Sequence, residues 1–159
     1  MAVMAKDGSI AERDTSLHRQ PAGRHPLGGM VALLALGLAL RVAWAGWFGH
    51  SGDLATFMSW ARRLATVGPA DFWSGSYWCD YLPGYLLVLW PLGWLARVIP
   101  SEAHILLFKI PSILADLATA YLIWRATRAK LNRGHLWLPT IYLFNPAILF
   151  NATLWGQVD

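Results

Sequence analysis

The sequence predicts an all-α integral membrane protein, and three observations carry that prediction. Apolar residues make up 56% of the 159 positions and charged residues only 14%, whereas a soluble domain is roughly 45–50% apolar. Several apolar runs are long enough to cross a bilayer as helices. Ten Trp residues fall mostly at the ends of those runs, where indoles anchor at membrane–water interfaces. The net charge of +4 is modest and the basic residues do not line one polar face, so a nucleic-acid partner is excluded. The single cysteine, Cys79, leaves no intrachain disulfide and no cysteine-based zinc cluster.

Residues 1–26 are polar and mixed in charge, without apolar periodicity, and are expected to form a flexible cytoplasmic tail. Residues 27–48, "LGGMVALLALGLALRVAWAGWF", form the first expected spanning helix, interrupted only by Arg41. "AWAG" at 43–46 resembles a signal-peptidase site, but the run is longer than a signal core and the tail before it is long. Residues 49–103 are expected to form an outer loop. Within it, 53–67 places Leu54, Phe57, Met58, Ala61, Leu64 and Ala65 at helical spacing among polar residues. This is an amphipathic helix that should lie on the membrane surface. The segment 82–99 is apolar but holds Pro83, Gly84, Pro91 and Gly93.

Residues 104–124 are the second expected spanning helix, with Lys109 and Asp116 inside it. Residues 125–135 are basic without an acid and are expected to be a cytoplasmic loop, since Lys and Arg in short loops stay inside. Residues 136–155 are the third expected spanning helix. With the tail and the basic loop both cytoplasmic, parity requires 82–99 to be interfacial or re-entrant. That gives three spanning helices; four, with 82–99 crossing, is the alternative. The expected location is therefore the plasma (inner) membrane, multi-pass, with Asp53, Asp80 and Asp159 on the outer side.

Each of these acids also has a purely structural reading. Asp53 could cap its helix, Asp80 could open a turn, and Asp159 could be the first polar residue past the membrane. Their convergence on one face, near Arg62, Arg63 and Lys109, raises the functional reading. Arg62 and Arg63 could equally rest on lipid headgroups. Lys109 lies about 8 Å into its helix from the outer end and could snorkel or hold a phosphate. Arg41 and Asp116 are deeper. A lone charge there costs roughly 3 kcal/mol, so the two are expected to pair as a structural element. Trp44, Trp47, Trp73 and Trp78 fit an outer aromatic belt, and Trp124 and Trp137 an inner one. His50 and the "NAT" sequon at 151–153 are weak signals.

The stretches "GDLATFMSWARRL", "CDYLPGYLLVLW", "LFKIPSILADLATAYLIWR" and "NPAILFNATLWGQVD" resemble the N-terminal part of GT-C glycosyltransferases. The bacterial mannosyltransferase-like group related to the GPI mannosyltransferases is the nearest in flavour. The resemblance covers about residues 48–159, and "WGQVD" after "NPA…FN" is its most specific part. It implies transfer of a hexose, mannose being one option, from a polyprenyl-phosphate donor to an acceptor on the outer face. Asp53 then matches the catalytic acid of the first outer loop, and Lys109, with Arg62 and Arg63, the surroundings of the donor phosphate. Asp159 and Asp80 match acids that serve acceptor or metal, a divalent ion being an option rather than a requirement. Here "DYLPG" departs from the Pro-Pro element of the relatives. The resemblance also implies further spanning helices beyond this chain, which is therefore expected to be an N-terminal piece or a truncated product. A non-catalytic membrane subunit, packing through Gly28, Gly29 and Gly37 against other helices, is the alternative.

Overall fold

The computed structural model describes residues 26–46, 51–131 and 135–155. Among them all regular structure is helical: α1 (Pro26–Ala45), α2 (Ser51–Val67), α3 (Pro83–Leu95), α4 (His104–Leu131), α5 (Trp137–Leu143) and α6 (Pro146–Leu149). A 3₁₀ turn, Ser101–Ala103, leads into α4, and a π-helical turn, Phe150–Trp155, follows α6. The expected tail before Pro26, together with Trp47, His50 and Asp159, lies outside the described residues.

Among the described residues two helices are long and apolar enough to cross a membrane: Leu27–Ala45 and Ser101–Lys130. They run antiparallel. Lys109 near the start of α4 meets Ala45 at the end of α1, Arg41 meets Asp116 one to two turns further in, and Met30 packs with Ala120 and Trp124 towards the other end. The third segment runs alongside α1. A Cβ on Gly29 would stand 2.9 Å from Leu136 Cδ1, and one on Gly37 would stand 3.4 Å from Leu143 Cδ1. Two of the glycines expected to face other subunits therefore let α5 approach within the same chain, while Gly28 faces open space.

Three expectations about these elements need correcting. The basic segment 125–135 is not a loop from its start: α4 continues to Leu131. "RATRAKL" is rich in good helix formers, and Arg128 and Lys130 sit in the last turn, where cations oppose the helix dipole. At 28 residues the helix is about 42 Å long, so its basic end projects beyond a hydrocarbon core of about 30 Å. The segment 136–155 is not one helix. It breaks at Phe144–Asn145 because Pro146 cannot continue the hydrogen-bond ladder. Asn145 restarts it, its side-chain oxygen accepting from Ala147 N–H at 2.9 Å. Trp124, expected in an inner belt, is buried between the helices.

The segment 82–99 forms α3; the loop before it returns along α2, and α3 then runs parallel to α2, with Tyr85 against Phe57 near its start and Gly93 against Ala61 further on. The apolar face of α2, with Leu54, Phe57, Trp60, Ala61 and Leu64, packs against Leu86 and Leu89 of α3 and Leu107 and Phe108 of α4. That face was expected to meet lipid; here protein covers it. Removing such side chains from water contributes roughly 1.5–3 kcal/mol each. Gly93 lets the two helices approach closely, since a Cβ there would collide with the Ala61 carbonyl. Arg97 ties the far end, donating to Ala65 O at 2.9 Å. The outward face of α3 keeps Leu87, Trp90 and Trp94 exposed, as is Val98 in the turn that follows. The α2–α3 pair sits at the end of the bundle where α1 finishes and α4 begins.

Candidate functional site

At that end a cavity of about 150 Å³ is lined by Asp53, Thr56, Phe57, Trp60, Trp78, Asp80 and Tyr81. The first four come from one face of the first turns of α2, as a spacing of three and four residues requires. The others come from the loop before α3. Trp60 Nε1–H donates to Trp78 O at 3.2 Å, and the Trp60 and Tyr81 rings pack at 5.5 Å between centroids. These contacts fold the loop over α2. Gly68 permits the chain to leave α2, with φ of 82° and its N–H on Leu64 O at 2.9 Å.

Asp53 is in the first turn of α2, where the helix dipole favours a negative charge. Its Oδ2 accepts a hydrogen bond from Trp155 Nε1–H at 2.7 Å. Asp80 is exposed at the same cavity. The structure thus brings Asp53 and Asp80 together, and adds Trp155, which nothing in the local sequence pattern connects to Asp53.

The structure places the three basic residues in different surroundings. Lys109 is completely buried. Its ammonium donates to Ala45 O at 2.9 Å, Thr153 O at 2.7 Å and Leu154 O at 3.2 Å. An ammonium has three N–H donors, and main-chain carbonyls engage Lys109 at these three contacts. Those carbonyls belong to the end of α1 and to the end of the π-helical turn, and carbonyls at helix ends call for partners outside the helix. Lys109 therefore ties two helix ends together. Arg63 is a loop anchor: it donates to Phe72 O and Ser74 O, each at 2.6 Å, and stacks on the Tyr77 ring at 4.3 Å. Arg62 is exposed, and nine residues at about 100° each place it across α2 from Asp53.

Deeper in the bundle Arg41 and Asp116 are paired at 3.0 Å. Arg41 also donates to Leu143 O at 3.0 Å, and Tyr142 donates to Asp116 Oδ1 at 3.3 Å. The pair sits away from the cavity and joins α1, α4 and α5.

Among the described residues no group of three or more His, Cys, Asp or Glu is placed to hold a metal ion. Asp53 and Asp80, with Asp53 Oδ2 already accepting from an indole, do not by themselves fit a resident divalent ion, which takes about six oxygen ligands. Burial raises the Cys79 thiol pKa, and the neighbouring Asp80 charge pushes it the same way. No protein-family model matches the chain, and neither curated proteins nor solved structures yield a match.

Proposed function

We propose that this chain is a module of a membrane glycosyltransferase of GT-C type that uses a polyprenyl-phosphate hexose. In this reading α1, α4 and the α5–α6 segment cross the inner membrane, the N-terminus and the basic end of α4 face the cytoplasm, and the α2–α3 pair lies at the outer surface. Asp53 takes the proton of the acceptor hydroxyl as the new glycosidic bond forms. One observation carries the reading: an anchored carboxylate, Asp53, opens with Asp80 onto an aromatic-walled cavity at the membrane-surface end of the bundle. A general base must sit within hydrogen-bond reach of the proton it removes, and a lipid-linked donor can reach such a cavity without leaving the bilayer.

The test is transfer from polyprenyl-phosphate mannose by the intact protein in membrane vesicles, compared with Asp53→Asn. Loss of transfer with normal membrane insertion is expected. Near-normal transfer by the variant would eliminate Asp53 as the base. Other polyprenyl-phosphate sugars identify the hexose.

The second reading, a non-catalytic membrane subunit, draws on a different observation. Lys109 and Arg63 are engaged by main-chain carbonyls, and Arg62 stands across α2 from Asp53. Stable co-purification with other membrane helices, combined with indifference to Asp53→Asn, would favour it.

A further inference from the structure

The Asp53–Trp155 contact joins residues 102 positions apart in the chain. At 2.7 Å it is in the short range of hydrogen bonds made to an ionised acceptor. An indole N–H donates in one direction, in the ring plane, and cannot accept. It therefore fixes one carboxylate oxygen without competing for the proton that a base must receive.

Trp155 is itself held. It ends the π-helical turn Phe150–Trp155, and its ring lies against Phe150 with centroids 5.8 Å apart. The two carbonyls just before it, of Thr153 and Leu154, accept from Lys109, whose third bond holds the end of α1. A π turn takes an extra residue per turn and so re-aims the side chain that follows it; such turns gather at functional sites.

We propose that Trp155 is a positioning residue that orients the Asp53 carboxylate towards the cavity, with Lys109 fixing the turn that presents it. The proposal rests on the transferase reading of Asp53. In the reaction the acceptor oxygen bonds to the anomeric carbon, the sugar–phosphate C–O bond breaks, and its electron pair leaves with the polyprenyl phosphate. The acceptor proton passes to Asp53. A carboxylate free to rotate would meet that proton in the right geometry less often, a loss confined to the chemical step.

The test replaces Trp155 with benzothienylalanine, which keeps the bicyclic shape and lacks the N–H, and separately with Phe. Two quantities are read in the intact protein. The first is a stability cycle with Asp53→Ala, in which the pair should be coupled by about tenfold or more in the unfolding equilibrium. The second is turnover of polyprenyl-phosphate mannose, in which kcat should fall about 10- to 100-fold with KM unchanged. Asp53→Asn combined with the Trp155 substitution should be no slower than Asp53→Asn alone. Absence of coupling overturns the contact. Coupling with unchanged kcat, where Asp53→Asn is inactive, overturns the positioning role while leaving Asp53 as base. Absence of turnover in the unsubstituted protein overturns the transferase reading and the positioning role with it, and the coupling measurement then stands for the contact alone.

Discussion

Arg41 on α1 grips Asp116 on α4 through both Nε and Nη2, at 3.2 and 3.0 Å. Arg41 is fully buried and Asp116 nearly so. Two opposite charges inside an apolar bundle are tolerated when both are paired and their remaining donors and acceptors are met, and here Leu143 O and Tyr142 supply that. Breaking such a pair from one side leaves an uncompensated charge and costs about 3–5 kcal/mol. Asp116→Ala should therefore lower the unfolding midpoint sharply, measured by denaturant titration in detergent. Removing both charges, Arg41→Met with Asp116→Leu, should recover most of the loss. A double variant as unstable as Asp116→Ala would mean that the pair does more than neutralise itself.

Gly93 is where α2 and α3 touch. A methyl there would meet the backbone carbonyl of Ala61 and the side chain of Ala65. Backbone cannot move aside as a side chain can, so the helices must separate. Overpacking of this kind costs roughly 1–3 kcal/mol. Gly93→Ala should destabilise the α2–α3 pair, and Gly84→Ala, on the same helix but facing open space, should not. A disulfide cross-link engineered between α2 and α3 would report the separation as slower formation in Gly93→Ala. Equal rates in the two variants would remove the close approach.

Much of the architecture was legible in the sequence because it follows from local physics. Apolar length marks α1 and α4, the 3.6-residue repeat marks α2, and the cost of a lone intramembrane charge couples Arg41 to Asp116 before any geometry is known. The break in the third segment is hidden because its average hydropathy conceals Pro146 behind a good capping residue, Asn145. The continuation of α4 is hidden because its charge content resembles that of a loop, although "RATRAKL" is helix-forming and its charges suit a helix C-terminus. The site was only partly legible. Asp53 and Asp80 could be found as acids beside membrane segments. Trp155 could not, since a hydrogen bond between residues 53 and 155 leaves no periodic trace. Lys109 shows the reverse problem: its depth suggested a ligand, yet its partners are carbonyls exposed by helix ends that only the fold reveals.

The role of Lys109 is open to direct test. If it ties α1 to the π-helical turn, Lys109→Met keeps the apolar stem but leaves carbonyls of Ala45, Thr153 and Leu154 without their donor. Each unmet buried acceptor costs roughly 1–3 kcal/mol. The variant should lose several kcal/mol of stability and yield little folded protein, as measured by unfolding midpoint and by the monodisperse fraction in detergent. A phosphate ligand would behave otherwise, giving a stable variant with a raised KM for the lipid donor. Full stability of Lys109→Met would dissolve the tie.

Cys79 offers a native probe of both environment and sidedness. It lies in the loop at the α2–α3 end, half-buried, with its thiol pushed up by burial first and by Asp80 second. A raised thiol pKa means less thiolate at neutral pH than free cysteine has, and thiolate is the reacting form. Reaction with a maleimide at pH 7.5 should therefore be slower than for free cysteine and should accelerate more steeply as pH rises past 9. Asp80→Asn removes one cause and should speed the reaction at neutral pH. Sidedness follows from the antiparallel run of α1 and α4, which puts Cys79 at one end of the bundle and Lys130 at the other. A membrane-impermeant maleimide should label Cys79 in intact cells, whereas Lys130→Cys in a Cys79→Ser background should react only after permeabilisation. Labelling of both from the same side would mean that α4 does not cross the bilayer, and the outer-surface cavity would lose its place in the proposed reaction.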